Sequence, residues 1–367
     1  MAQEPAWWRT TIAQIDATVR SVRTGQAEIL TQSAGGRPVH MVSYGTPTRH
    51  VPTANLSGAI GCNDPRVYKD ETNEPQVVMI VAGCHGSEAE ATNGALQLIQ
   101  IMETGRDYAG KDRSALAELA RGYRLIIIPA LNPDGRARTP ASMIGVAEAE
   151  ALRINQGVWK DGRSIGYPAC KRYQPLDPKA VSFLGGYPND DGYNIMHDAT
   201  PGDIRTAEAT ALLKLVAREG ADLALHMHSH PTPSTILPPC HGMFDLHRKR
   251  ILAYRERLSQ FYTERGLASD PRMAMASNPA ATWLCPANLA TMTSLASGAL
   301  SPIFEQPNGT SPDHPRDYPT MHEESLAVIE MFLHWGKKER FSPRMEMFMT
   351  MLDASAEPAT YMRDKWF

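Results

Sequence analysis

Between residues 77 and 83 the chain reads Val-Val-Met-Ile-Val-Ala-Gly, an unbroken apolar run closed by glycine, and such a run predicts a strand covered on both faces. Shorter strand-like runs follow at 124–130, 222–227 and 301–305. Between them the pattern changes to that of helices. Residues 88–102 carry Leu96, Ile99 and Met102 among helix formers, 114–121 predicts a second helix, and 205–219 predicts a third that stops at Gly220. Upstream, a polar helix at 11–22 leads to a hairpin at 27–44 with Gly35-Gly36-Arg37-Pro38 as its turn. Downstream, helices are predicted at 241–265, 322–337 and 343–352. Alternation of this kind favours a mostly parallel sheet with helices on both faces. Two stretches break it. Residues 56–76, rich in Gly, Asn, Asp and Pro, read as loop. Residues 141–190 form a long loop-rich excursion of the sort that builds walls or lids.

Composition narrows the partners more than the fold. The 367 residues are 42% hydrophobic and 21% charged, ordinary for a globular chain able to bury a large core. A net charge of -3 and scattered Lys and Arg leave no basic stripe for a phosphate backbone, so no nucleic-acid partner is expected. No apolar run approaches membrane-spanning length, and 1–23 lacks the continuous apolar centre of a signal peptide. The cytoplasm, with no membrane partner, is the expected location. Cys62, Cys84, Cys170, Cys240 and Cys285 are odd in number and widely spaced, which argues against a disulfide framework.

The residues that carry chemistry fall at strand ends, where open α/β sheets place their ligands. His85-Gly-Ser-Glu88 follows the buried run directly, and His226-Met-His228-Ser-His230 closes the 222–227 strand. Two imidazole nitrogens and one carboxylate, with water at a fourth position, make a catalytic zinc site. Glu305 ends a further strand, placed to take a proton from that water. If the 222–227 strand continues, alternation sends His226, His228 and His230 to the same face, and spacing does not choose among them. Cys84 beside His85 reads as a small buried hydrophobe rather than a nucleophile.

With these motifs in order, the chain resembles the zinc carboxypeptidase family of metallopeptidases, whose pattern is a His-x-x-Glu pair, a distant His in a His-Ser context and a late catalytic Glu. Asn132-Pro-Asp-Gly135 is similar to the family's Asn-Pro-Asp-Gly signature and stands at the matching point between the zinc motifs. The likeness spans roughly residues 28–336. It implies an α/β/α sandwich with a mixed, mostly parallel eight-stranded sheet, and one catalytic domain over 1–367. It also implies one zinc ion held by His85, Glu88 and His228, with Glu305 as general base. His226 then becomes an outer neighbour of the metal and His230 part of a pocket wall or a substrate contact.

The chain departs from the family where substrate is held. The family's Gly-Val-Asp-Leu-Asn-Arg-Asn segment corresponds to Gly192-Tyr-Asn-Ile-Met-His-Asp198, so Met196 and His197 replace the Asn-Arg pair that grips a substrate carboxylate. The cation that steadies the oxyanion has candidates in Lys160, Arg163 and Arg172, and no Tyr occurs between Tyr262 and Glu305. The expected activity is hydrolysis of an amide in a peptide or an N-acyl amino compound. The alternatives are a deacylase resembling the succinylglutamate desuccinylase and aspartoacylase branch, and a non-catalytic zinc protein on the same fold.

Overall fold

A computed structural model describes residues 3–47, 55–63, 75–166, 169–171, 175–271, 273 and 287–338. The strands are β1 (Gln26–Gln32), β2 (Pro38–Tyr44), β3 (Val77–Ala82), β4 (Arg124–Ile128), β5 (Val158–Trp159), β6 (Val181–Phe183), β7 (Leu223–His230), β8 (Thr235–Ile236) and β9 (Ile303–Pro307). The helices are α1 (Ile12–Ser21), α2 (Leu56–Cys62), α3 (Ala89–Thr104), α4 (Ser114–Arg121), α5 (Pro133–Ala137), α6 (Glu148–Gln156), α7 (Ala207–Glu219), α8 (Asp245–Glu264), α9 (Leu289–Ser297) and α10 (Tyr318–Lys338). Among the described residues no helix is long and apolar enough to cross a membrane.

The main sheet runs in the order β1-β2-β4-β3-β7-β9-β8. Its central strands β4, β3, β7 and β9 are parallel, and both margins are antiparallel. The sheet is therefore mixed, as expected, with seven strands among the described residues where the resemblance implies eight. β5 and β6, inside the 141–190 excursion, pair only with each other as a separate ribbon.

Strand β3 is buried at every position because β4 and β7 flank it and helices cover both faces, which is why its sequence is continuously apolar rather than alternating. Helix α3 follows at once and is buried around nearly its whole circumference, packed on β3, β7 and α10. Helix α7 packs with α9 as part of the other layer. Local chemistry sets the ends: Thr11 and Gln14 form a capping box at α1, and Thr206 caps α7 by accepting from Ala209 N–H.

Three expectations change. Within 56–76, read as loop, residues Leu56–Cys62 form α2, capped by Asn55 at the start and by Asn63 in the left-handed region at the end. The excursion holds α6 and the β5–β6 ribbon rather than loop alone. Strand β7 runs to His230, three residues past the expected end, because β9 pairs with it through Pro307. The helix expected at 343–352 lies outside the described residues.

The core follows from this layering. Ile80 sits fully buried at the centre of β3, whereas Ile29 on the marginal β1 is 56% exposed. Ile80→Ala should cost about 2–5 kcal/mol of stability and Ile29→Ala no more than about 0.5 kcal/mol. Denaturant midpoints of the two variants check this, and equal midpoints would contradict the assigned register.

Candidate metal centre

The centre is built where β3, β7 and β9 end side by side. Met227 points toward α3, since its Cε lies 3.2 Å from where a Cβ on Gly94 would stand. Its neighbours His226 and His228 therefore project from the opposite face of β7. On that face His228 is directly in register with Glu305 of β9. Parallel pairing thus brings the two side chains together from positions 77 residues apart in sequence (305 − 228).

His85 and Glu88 come from the turn between β3 and α3, which is closed by Glu88 N–H donating to His85 O at 3.1 Å. Glu88 is gripped by both imidazoles: His85 Nδ1 lies 2.8 Å from one carboxylate oxygen and His228 Nδ1 lies 2.8 Å from the other. The two rings meet edge to face with centroids 4.9 Å apart. All three side chains are buried, and their ligand atoms lie within 4.8 Å of one another. Burial pushes the Glu88 carboxyl up, but His85 and then His228 together outweigh it and bring its pKa down to about 2. The residues fit a metal, because a nitrogen, nitrogen and oxygen donor set converging at this scale is what zinc takes.

Two neighbours fix His85 that sequence reasoning did not single out. Asn194 Oδ1 lies 3.2 Å from His85 Nε2, and its orientation is set because its Nδ2 donates to Cys170 O at 2.9 Å. An oxygen there accepts, so Nε2 carries a proton and Nδ1 is the nitrogen left to face a cation. The ring of Tyr187 stacks on His85 with centroids 4.0 Å apart and planes 21° apart. Burial, then Glu88 and Glu305, push the Tyr187 phenol well above its usual range, so it stays protonated. Tyr187 lies in none of the motifs, whereas Asn194 lies in the Gly192–Asp198 segment, where the sequence comparison drew attention only to Met196 and His197.

The Asn-Pro-Asp-Gly turn supports the same wall. Asn132 Nδ2 donates to Tyr187 O at 3.0 Å while its Oδ1 caps Gly135 N–H. The buried Asp134 carboxylate accepts from Ser33 Oγ at 2.6 Å, Gly35 N–H at 2.9 Å, Arg37 Nη1 at 2.8 Å and Asp190 N–H at 3.1 Å. Burial raises its pKa and these donors lower it further than burial raises it.

The remaining candidates are dispersed. His226 is fully buried on the metal-facing side of β7, but its nitrogens do not join the cluster, and burial, then His228, bring its pKa down to about 3. His230 turns back locally, with Nε2 3.1 Å from Pro233 O. Met196 is buried in the main core and His197 is half-buried beside it, both on the single 3-10 turn Ile195–His197. Lys160 is exposed, and Arg163 is exposed with its Nε donating to Asp161 at 2.8 Å. Arg172 lies outside the described residues. Cys84 is buried and burial pushes its thiol well up, which leaves it inert.

Comparison with known proteins agrees with this geometry. Residues 15–169 match the family model described as zinc carboxypeptidase. No curated protein matches the chain. Among solved structures, a metallo-carboxypeptidase from Burkholderia cenocepacia is similar with a TM-score of 0.54 at 16% identity, covering 90% of this chain and 70% of that one. Bovine thrombin-activatable fibrinolysis inhibitor, solved with tick carboxypeptidase inhibitor, gives a TM-score of 0.50 at 13% identity, covering 91% of this chain and 100% of that one. At such identities these likenesses show the fold alone. The chain is thus similar to zinc carboxypeptidases in sequence over residues 15–169, and in fold over most of its length.

Proposed function

We propose that the chain is a zinc-dependent hydrolase that cleaves an amide bond in a peptide or N-acyl amino compound, with 1–367 acting as one catalytic domain. The observation that carries this reading is the convergence of His85, Glu88 and His228 beside Glu305, which the β7–β9 register sets opposite His228. When bound by those residues, zinc supplies Lewis acidity toward a carbonyl oxygen and lowers the pKa of water. The protein's own part is positional. Asn194 holds His85 in the tautomer that leaves Nδ1 available, and Glu88 takes its place between the two imidazoles. Glu305 accepts a proton from the attacking water and returns it to the departing amine nitrogen.

A structural zinc site would be closed by four protein donors. Among the described residues no fourth His, Cys, Asp or Glu joins the cluster, which favours a catalytic centre over a purely structural one. Zinc analysis of purified protein should give about one ion per chain, and His228→Ala should lose most of it while His226→Ala retains it. The opposite pattern would exchange the two histidines' roles.

Glu305→Gln should keep fold and zinc yet lose about 100-fold to 10,000-fold in turnover, because an amide does not accept the proton. Near-normal hydrolysis by the zinc-loaded variant would remove Glu305 as the base.

Substrate recognition should differ from that of a strict carboxypeptidase. Met196 is in the core and Arg163 is engaged with Asp161, so neither supplies a planar cation to a substrate carboxylate. Amidating the C-terminus of an accepted peptide should lower kcat/KM by less than about 10-fold, whereas loss of a charge-assisted contact typically costs about 1.5–3 kcal/mol, roughly 10-fold to 150-fold. Inert amides beside rapidly cleaved free acids would return the chain to ordinary carboxypeptidase specificity.

A further inference from the structure

The 141–190 excursion has an apolar core of its own, Ile165, Cys170, Leu176 and Val181, separate from the main core. Tyr187 packs against that small core and also stacks on His85. Through this side chain the excursion touches the metal cluster. Its backbone is fixed from both sides. Tyr187 N–H donates to Asn155 O at 3.0 Å, at the end of α6, and its carbonyl accepts from Asn132. The preceding residue is locked as well. Gly86 N–H, in the turn that carries His85, donates to Gly186 O at 2.7 Å. Both glycines are tightly enclosed: a Cβ on Gly186 would lie 2.7 Å from Ser87 N in the His85 turn, and one on Gly86 would lie 2.1 Å from Arg136 N of α5.

We propose that Tyr187 is a positioning residue for His85, through which the folding of the 141–190 excursion and metal binding at His85 reinforce each other. The inference rests on the reading of His85, Glu88 and His228 as the metal site. Physically, a flat ring at 4.0 Å shuts water from one face of the imidazole and resists its rotation about the Cβ–Cγ bond. With Asn194 at Nε2, this leaves Nδ1 aimed at Glu88. The excursion's core sets how firmly the ring is held. Because coupling between two events is reciprocal, a metal that steadies His85 also steadies the excursion through Tyr187. The role belongs to the ring and not to the hydroxyl.

The test uses the full chain, with zinc affinity read by competition against a chromogenic chelator and backbone protection read by hydrogen exchange. Tyr187→Ala should weaken zinc binding about 10-fold to 100-fold, the usual effect of losing a group that orients a ligand. Tyr187→Phe should stay within about 3-fold of wild type because it keeps the ring. Val181→Ala, which loosens the excursion's core from β6, should weaken zinc about 5-fold or more. In wild type, zinc should slow exchange at 157–166 and 180–187, and in Tyr187→Ala it should not. Wild-type zinc affinity in Tyr187→Ala overturns the proposal, and so does a Tyr187→Phe protein as weak as Tyr187→Ala. Should circular dichroism show Tyr187→Ala unfolded, unchanged zinc affinity in Val181→Ala overturns it instead. A wild-type protein that binds no zinc marks the different failure, that of the metal reading itself.

Discussion

An ionised carboxylate buried away from water is among the most costly groups a fold can hold, and it persists only when paired, hydrogen-bonded or bound to a metal. Glu88 is such a group, and most of the site is arranged around it. Its two oxygens meet two imidazoles brought from β3's end and from β7. Those strands are neighbours only because the central sheet is parallel in the order β4-β3-β7-β9. The crossovers between parallel strands place all their C-terminal ends at one edge, so an arrangement chosen for backbone pairing also collects the polar side chains there. The surrounding contacts on His85, from Asn194 and Tyr187, then limit how far the grip can relax.

The parts of this that could be read from the sequence are those with a local signature. β3 was legible because a strand covered on both faces must be apolar throughout, and the turn after it because His85 and Glu88 stand three positions apart on a short loop. Strand alternation could not separate His226, His228 and His230, since β7 continues to His230 and all three share a face. Reach separates them: His228 meets Glu88, His226 stops deeper in the sheet, and His230 turns back to Pro233. Tyr187 is not legible because its meaning lies in contact with a residue about a hundred positions earlier, which no periodicity records, and Asn194, although inside the Gly192–Asp198 segment, shows its role only through its contact with His85. Helix α2 was missed for the opposite reason. Its capping asparagines outweigh the glycines that make 56–76 look like loop.

The metal-ligand cluster and the segment that differs from the family's carboxylate-binding pair are built from different material. The metal cluster and Glu305 stand on or beside sheet strands, held by ladders of backbone hydrogen bonds. The residues that differ from the family's carboxylate-binding pair, Met196 and His197, sit on a single 3-10 turn outside the sheet ladders. The Asn132 and Asp134 side chains fit the first group, because they knit the Tyr187 wall to the hairpin turn at Gly35.

The two margins of the main sheet also have a physical consequence. At one side β8 has only two residues, and at the other the β1–β2 register shifts between Ile29 and Thr31. A strand this short offers too few free backbone groups to template another, and a bulged one presents them out of step. Among the described residues the sheet is therefore self-terminating: polymerisation by edge addition finds no straight, unpaired ladder to extend there, even though β1 carries an exposed isoleucine.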